Sequence, residues 1–183
     1  AVEVLAAVNQ HSHYRPAAMA LCNELASRYQ AERVSFGLLR GRYVKLSAMS
    51  HTEKVNRQTK LTQAIEAAME ESLDQDTEVI HPAPDEAAVI TRAASELSRH
   101  YGPVAVASLP LREDGAPVAV LTLERDADRP IHPDELELLR LTCELVGPRL
   151  LERQRADRWV GARLATQTRE AAGTGPSLNR CRR

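Results

Sequence analysis

The sequence of 183 residues predicts an α+β fold in which a mostly antiparallel sheet packs against helices. Apolar residues make up 43% of the chain, which is enough to bury a core in one domain. Two pairs of β-rich segments are each joined by a short turn, a pattern typical of antiparallel hairpins. Segments with helical periodicity surround these pairs, so the predicted order of elements is α–β–β–α–β–α–β–β–α.

Runs of β-favouring residues between turn signals predict five strands. The strands are 33–39, 43–49, 77–81, 104–112 and 117–124. The first two flank Gly41, and the last two flank Asp114-Gly115, which is a strong signal for a hairpin turn. The third ends before Pro82 and Pro84, which break a strand.

Apolar residues at helical spacing predict the helices. The helices are 2–8, 17–29, 53–72, 86–100 and 133–169. Pro16 suits a first helical turn, where the missing N–H costs nothing. Gly102 and Pro103 end the fourth helix, and Pro133 begins the last one. The turn-rich composition of residues 173–183 predicts a disordered tail.

Charge divides the chain into an acidic part and a basic arm. Residues 1–148 carry 15 Lys and Arg against 22 Asp and Glu, whereas residues 149–183 carry nine Arg against three acidic residues. The charge of the arm suits binding to an anionic membrane surface or to a nucleic acid. The alternative is that the arm is an ordinary solvated helix. Because it lacks Lys and interleaved aromatic residues, we expect no nucleic-acid partner.

Composition and motifs argue against catalysis and cofactors. Three scattered cysteines, Cys22, Cys143 and Cys181, are too few for a disulfide framework or a zinc cluster. His11 and His13 have no acidic partner at ligand spacing, so we expect no metal site. The sequence has no nucleophile–base or phosphate-loop motif. It also has no 18-residue apolar stretch and no signal peptide. We therefore expect a cytoplasmic location, with the cytoplasmic face of the inner membrane as the alternative in the full-length protein.

Residues 108–151, SLPLREDGAPVAVLTLERDADRPIHPDELELLRLTCELVGPRLL, resemble the second half of a GAF domain. The Asp-Gly turn, the Pro-Val strand and the Pro-x-Glu-Leu helix start carry the likeness. Residues 20–39, ALCNELASRYQAERVSFGLL, resemble the family's opening helix and first strand. The resemblance covers about residues 17–151. It implies a PAS-related antiparallel sheet of about six strands, with helices on both faces and a small-molecule pocket between the sheet and the middle helices.

On this basis the chain divides into three parts: an N-terminal helix and linker (1–16), a GAF-like domain (17–151) and a basic helical arm with the tail (152–183). The resemblance implies a non-catalytic regulatory domain of a larger bacterial signalling or transport protein, which senses a small molecule, mediates dimerisation or does both. The arm sequence RADRWVGARL is similar to the cytoplasmic part of bacterial membrane-fusion (efflux adaptor) proteins. The alternative is therefore a dimerisation scaffold without a ligand, positioned next to a membrane-anchored adaptor.

The implied pocket lies near polar residues on the second and third strands and the helices beside them. These candidate ligand contacts are Tyr43, Lys45, Ser47, His51, His81 and Arg92. Strand alternation places the first three on one face. The alternative is that the second strand is a sheet edge whose polar face meets water. Side chains such as Met49, Met69 and Ile90 filling the pocket would favour the scaffold.

The GAF relatives that bind cyclic nucleotides carry an Asn-Lys-Phe-Asp-Glu set, which this sequence lacks. The relatives that bind bilins or reduce free methionine sulfoxide use cysteines near the pocket. Cys22 and Cys143 lie in apolar helix stripes, where core packing is the simpler interpretation. We therefore expect none of these three activities.

The closing helix carries an apolar seam with alternating spacings of three and four. Its members are Leu136, Leu139, Cys143, Val146 and Leu150. We expect residues 136–146 to pack on the domain's own sheet and Pro148 to kink the helix away from it. Beyond the kink, Leu150, Trp159, Val160 and Leu164 need a partner. The first helix, with Val4, Leu5 and Val8, is predicted to supply it from the same chain or from a second copy, in a homodimer.

Overall fold

The computed structural model describes residues 1–56, 58–83, 89–102 and 104–173, with side chains as far as Trp159. Within these residues there are five helices and five strands. The helices are α1 (Val2–Asn9), α2 (Tyr14–Arg28), α3 (Lys60–Asp74), α4 (Arg92–Tyr101) and α5 (Pro133–Gly173). The strands are β1 (Arg33–Arg40), β2 (Tyr43–Met49), β3 (Val79–His81), β4 (Val104–Glu113) and β5 (Ala116–Asp126).

The five strands form one sheet in the order β2-β1-β5-β4-β3, and every neighbouring pair is antiparallel. This confirms the α+β fold with an antiparallel sheet, although the described residues form five strands where about six were expected. The β4–β5 turn also agrees with the prediction. Glu113 pairs with Ala116, and Asp114 and Gly115 between them have φ of 51° and 81°, the left-handed values of a tight hairpin turn.

Helices cover both faces of the sheet. We call the face covered by α2 and α5, with α1 packed on these two helices, the three-helix face. We call the face covered by α3 and α4 the helix-pair face. On the three-helix face, Phe36 and Leu121 belong to the larger buried cluster. On the helix-pair face, Val106 and Val120 belong to a second cluster with residues of α3 and α4. Alternation along each strand therefore divides the buried residues between two cores.

Helix α5 packs its apolar seam on the chain itself. Leu139, Val146 and Leu150 are fully buried in the three-helix cluster, which confirms the expected packing of residues 136–146. The prediction that the helix leaves the sheet after Pro148 is wrong, because Leu151 lines a cavity with Leu109 and Leu111 of β4 and Arg155 pairs with Glu113 at the end of β4. Leu150 is buried in the cluster that also holds residues of α1. Pro148 lies inside a helix that continues to Gly173.

Helix α1 supplies part of that packing in the same chain. Val4 and Val8 are fully buried in the three-helix cluster, and Leu5 packs against it. The predicted partner of α5 is thus found within one copy. The side chains of Val160 and Leu164 lie outside the described residues.

Two helices begin later than predicted. Helix α3 begins at Lys60 and not at residue 53, because the Thr59 side chain accepts a hydrogen bond from the Thr62 amide and caps the helix. Helix α4 begins at Arg92 and not at residue 86. Before it, the Gln75 side chain holds both the N–H and the C=O of Ile90, each at 2.7 Å. The predicted helical residues 86–88 and the tail after residue 173 lie outside the described residues.

The outer edge of β2 is covered by α3. The Leu46 amide donates to Glu66 Oε1 at 2.8 Å, and the Val44 amide donates to Glu70 Oε1 at 2.9 Å. These carboxylates occupy the positions that a further strand would take.

Candidate ligand-binding face of the sheet

The structure does not bring the six predicted pocket residues together. Three of them lie on β2, the terminal strand of the sheet, as the edge-strand alternative expects. Tyr43 is 62% exposed, and Lys45 Nζ lies 3.1 Å from Glu66 Oε2. Ser47 Oγ accepts a hydrogen bond of 2.8 Å from the Tyr14 hydroxyl of α2. These three side chains face solvent or neighbouring helices.

The other three are also dispersed. His51 is exposed, and its backbone amide donates to Asn23 Oδ1. Arg92 is exposed at the start of α4 and pairs with Glu96. Only His81 lies on the helix-pair face, where it pairs with Val106 of β4. Partial burial lowers the pKa of His81, an effect that the charge of Glu71 opposes.

A group of buried polar residues crosses the helix-pair face at the centre of the sheet. We call this group the polar strip, and its members are Arg33, Ser35, Ser108, Thr122 and Glu124. Thr122 pairs with Ser35 of β1 and with Ser108 of β4, and Glu124 pairs with Arg33. Four of the five are at most 1% exposed, and the Arg33 side chain is largely buried. The strip shares its face with Val106 and Val120 because strand residues alternate.

Several atoms of the strip lack hydrogen bonds. Ser108 and Thr122 bond to each other at 2.9 Å. Ser35 Oγ, Arg33 Nη1 and both carboxyl oxygens of Glu124 have no hydrogen-bond partner among the described residues. Arg33 Nη1 lies 3.4 Å from Glu124 Oε2, which is an ion pair without hydrogen-bond geometry. A buried polar group without a partner costs about 1–3 kcal/mol, so such a group requires an explanation.

Burial also changes the chemistry of Glu124. Loss of solvation raises its pKa to about 7, the charge of Arg33 lowers it and the charge of Glu32 raises it further. At neutral pH the carboxyl group therefore exists both protonated and ionised, and it can either donate or accept a hydrogen bond.

The Arg33–Glu124 end of the strip lies where two long connections leave the sheet. Strand β2 ends at Met49 beside the start of β1, and Ser50 bonds through its amide and hydroxyl to the backbone of Val34. Strand β3 ends at His81, in the same lateral row as Glu124. The connections 50–59 and 82–91 thus begin on either side of this end.

The half of the face toward β2 is filled by apolar side chains. Met69 of α3 is fully buried, whereas Ile90 is 65% exposed and fills no space there. Gly37 of β1 accommodates this packing, since a Cβ at Gly37 would lie 2.4 Å from Val44 Cγ1 and 2.6 Å from Met69 Sδ. Any molecule bound on this face would have to lie toward the polar strip.

The described thiols lie on the opposite side of the sheet. Cys22 and Cys143 are buried in the three-helix cluster. Burial raises the pKa of both thiols, that of Cys143 to about 12, so neither is a thiolate near neutral pH. Across the described side chains, no group of three or more His, Cys, Asp or Glu could hold a metal ion. No helix in the described part of the chain is long and apolar enough to cross a membrane.

A separate cavity of about 500 Å³ lies on the three-helix face between β4 and α5. Leu109, Leu111 and Gly147 are among its lining residues. The two arginines that line it are already bound to carboxylates: Arg112 to Asp76, and Arg140 to Glu78. Both of these arginines are therefore satisfied, in contrast to Arg33 of the polar strip.

Sequence reasoning missed the polar strip because it gave weight to the polar residues of an edge strand. The available signal was in β5. Val120, Thr122 and Glu124 share one face of a strand whose other face carries Ala119, Leu121 and Leu123 over the same stretch. Because β5 lies in the middle of the sheet with helices on both sides, a polar residue on either face is buried.

Comparison with known proteins identifies a family model and several solved structures that are similar to this chain. A family model for the GAF domain matches residues 14–150. The GAF domain of an Acinetobacter phosphoenolpyruvate-protein phosphotransferase is 11% identical, with a TM-score of 0.63, over 86% of this chain and 94% of that one. A far-red absorbing protein with bound biliverdin is 13% identical, with a TM-score of 0.59, over 84% and 98%.

Free methionine-R-sulfoxide reductase from Neisseria meningitidis, solved with its substrate, is also similar. It is 14% identical, with a TM-score of 0.54, over 87% of this chain and 88% of that one. At these identities the similarity shows the fold alone. No curated protein matches the sequence.

Proposed function

The chain belongs to the GAF domain family, whose members are commonly regulatory and sense small molecules, and we propose that it is a non-catalytic sensor that binds a small polar molecule at the polar strip. The observation that supports this proposal is the set of buried atoms without partners on Arg33, Ser35 and Glu124. A ligand would supply the missing hydrogen bonds.

The chemistry of the strip indicates the class of ligand. Arg33 donates, Ser35 can donate or accept, and Glu124 accepts when ionised and donates when protonated. A compact molecule with a hydrogen-bond donor next to an acceptor, such as a lactam, a pyrimidine base or an amino-acid amide, matches this set. Aromatic residues make up only 3% of the chain, so a large flat ligand would find few stacking partners.

The proposal retains His81 alone among the six residues predicted from sequence. His81 lies two strands from Glu124, about 10 Å away laterally. The remaining five, on the sheet edge and in exposed positions, stay predictions that this proposal does not use.

The experiment that tests the proposal is a titration followed by NMR. Uracil, 2-pyrrolidinone and glycinamide would be added to the ¹⁵N-labelled chain, and amide shifts followed in β1 and β5. We expect at least one compound to shift amides near Ser35 and Glu124, and Ser35→Ala to weaken its binding at least fivefold. Ser47→Ala, on the edge strand, is the matched control and should leave binding unchanged.

The alternative is a scaffold without a ligand, and the packing of Met69 against Gly37 favours it. If none of the three compounds shifts β1 or β5, or if Ser35→Ala and Ser47→Ala behave alike, the scaffold is the better interpretation. An enzymatic role has less support. The methionine sulfoxide reductase shows that the fold is compatible with catalysis, but the two described thiols here lie on the far side of the sheet.

A place in a larger bacterial protein and contact between the Arg-rich arm and an anionic membrane surface also stay predictions. The side chains of the arm from residue 160 onward lie outside the described residues. The expected link to an efflux adaptor depends on that arm and likewise stays a prediction.

A further inference from the structure

The cavity between β4 and α5 exists because β3 is short and because this side of α5 carries small residues. Strand β3 pairs with residues 106–108 of β4, and no described strand pairs with residues 109–113 on that side. Cys143, Gly147 and Leu151 follow each other at a spacing of four, so they lie along one side of α5. Since the first two are small, the helix and the strand leave a space of about 500 Å³ between them.

The cavity has an apolar floor and a charged mouth. Four buried residues form the floor: Leu109, Leu111, Cys143 and Leu151. Five exposed or half-buried residues form the mouth: Asp76, Glu78, Arg112, Arg140 and Glu144. An apolar enclosure of this size with a few polar groups at its entrance is typical of sites that bind small molecules.

The mouth carries more negative than positive charge. Asp76 binds Arg112 at 2.5 Å. Glu78 binds Arg140 through both carboxylate oxygens, each at 2.8 Å. The third carboxylate, Glu144, is exposed and has no ion pair among the described residues. One carboxylate at the mouth is therefore left without a cation.

The Cys143 thiol in the floor is affected by the same charges. Burial, and then the charges of Glu78 and Glu144, raise its pKa to about 12. A nearby negative charge raises the pKa of a thiol because it makes the thiolate less stable. The electrostatic potential at the floor is therefore negative, which favours a cation over an anion in the cavity.

We propose that this cavity binds a small primary amine, with its ammonium group beside Glu144 and a compact apolar body against Leu109 and Leu111. The body would exclude water from the apolar floor, and the ammonium group would supply the missing cation. An anionic ligand would meet the charge of Glu144 instead, and it could reach an arginine only by displacing Asp76 or Glu78. The cavity lies on the opposite face of the sheet from the polar strip, so this proposal does not rest on the function proposed above.

Three probes of similar shape and different charge test the proposal. They are 2-phenylethylamine, 2-phenylethanol and phenylacetate, each titrated at neutral pH into the ¹⁵N-labelled full chain. We expect the amine to shift the amides of Leu109, Leu111 and Gly147 with a dissociation constant on the order of 1 mM. The alcohol lacks the charge and should bind about fivefold more weakly, and phenylacetate should bind more weakly still.

Filling the cavity tests the location of the site. A Cβ at Gly147 would lie 3.2 Å from Leu111 Cδ2, so the side chain of Gly147→Leu would enter the space between the helix and the strand. Leu111 borders the cavity and has room to move by the few tenths of an ångström that this contact requires. We expect Gly147→Leu to abolish the shifts at Leu109 and Leu111 with all three probes. Circular dichroism confirms that the variant is folded.

Removing one charge tests the class of ligand. Glu144→Gln should weaken binding of the amine about fivefold, to the level of the alcohol, and leave binding of the alcohol unchanged. Glu152→Gln is the matched control, because Glu152 is also exposed on α5 but does not line the cavity. It should leave the affinities for all three probes unchanged.

Distinct outcomes would overturn each part of the proposal. The site is wrong if 2-phenylethylamine does not shift the three amides, or if folded Gly147→Leu binds it like the wild type. The preference for an amine is wrong if the alcohol or phenylacetate binds equally well, or if Glu144→Gln and Glu152→Gln behave alike. Ser35→Ala changes the polar strip and should leave binding of the amine unchanged. Weaker binding by Ser35→Ala would place the amine at the strip and contradict the proposal.

Discussion

Glu124 is the residue at which burial and charge are most directly opposed. Its folded pKa of about 7 lies above the ordinary value of 4.5, so the folded state binds the proton more tightly than the unfolded chain does. The contribution of Glu124 to stability is fully present below about pH 4.5. It is lost as the pH rises through about 7, because the ionised carboxylate is then held in a poorly solvated position.

Replacing this carboxyl group should remove its contribution to the pH dependence of stability. We expect the unfolding free energy of Glu124→Gln, taken relative to that of the wild type, to increase by roughly 2–3 kcal/mol between pH 4 and pH 8. Urea denaturation of both proteins at several pH values measures this difference. Glu152→Gln is the matched control, because that side chain is 66% exposed, and its difference from wild type should stay flat. A flat difference for Glu124→Gln as well would contradict the assigned pKa.

The sequence predicted the structural role of the Asp114-Gly115 turn but not that of the polar strip. Asp114-Gly115 was placed correctly because a tight turn is a local requirement on φ that few residues meet. The polar strip was missed because its burial depends on β5 lying between β1 and β4, which no local pattern reveals. Burial that depends on strands distant in sequence cannot be predicted from a local pattern.

At the scale of elements, carboxylates from one helix stabilise the ends of another. Glu71 of α3 accepts from the amides of Ala93 and Ala94, at 2.8 and 3.1 Å, in the first turn of α4. Those amides have no partner within their own helix, and a negative charge also favours that end of the helix dipole. Such a cap comes from another part of the chain. This explains why the predicted start of α4 was wrong while its end at Gly102 was right.

Removing this cap should destabilise the domain. We expect Glu71→Gln, which keeps one acceptor and loses the charge, to lower the unfolding free energy by about 1 kcal/mol. Thermal and urea denaturation measure this loss. Glu96→Gln alters an exposed glutamate of α4 itself and should cost less than half as much. Equal losses for the two variants would show that Glu71 does not cap the helix.

At the scale of the whole molecule, Tyr14 connects the sheet edge to α5. Its hydroxyl donates to Ser47 of β2, and its backbone amide donates to Asp157 Oδ2 of α5 at 2.8 Å. Asp157 Oδ1 also lies 3.0 Å from His13 Nδ1. The hydrogen bond from His13 lowers the pKa of Asp157. This contact is therefore present above the ordinary pKa of an aspartate and is lost as the pH falls through its lowered value.

We expect Asp157→Ala to detach the C-terminal half of α5 from α2 without unfolding the sheet. Hydrogen–deuterium exchange should become faster in residues 14–17 and 153–159 and stay unchanged in β4 and β5. Asp128→Ala, at an exposed position before α5, serves as the control and should not affect these segments. Faster exchange throughout the chain would indicate general destabilisation instead.

The topology of the sheet was easier to predict from the sequence than the exposure of the side chains on α5. Two hairpins and the helices around them determine an antiparallel α+β sheet, because short turns leave few ways to connect neighbouring strands. The buried seam of α5 and its exposed leucines, Leu138, Leu141 and Leu145, follow the same three–four spacing. The longer run of apolar residues identified the seam correctly as the line that packs on the domain, whereas the exposure of the other leucines becomes visible only in the structure.

The contact between α3 and β2 has a further consequence for assembly. Four residues along a helix advance about 6 Å and two residues along a strand about 6.7 Å, so the Glu66–Glu70 spacing nearly equals that of the Leu46 and Val44 amides. The two lengths match for one step and diverge with each further step. The two hydrogen bonds can therefore form together in one alignment of α3 and β2 only, and this fixes the position of the helix along the strand. An approaching strand from another molecule would have to displace both carboxylates at once before it could extend the sheet.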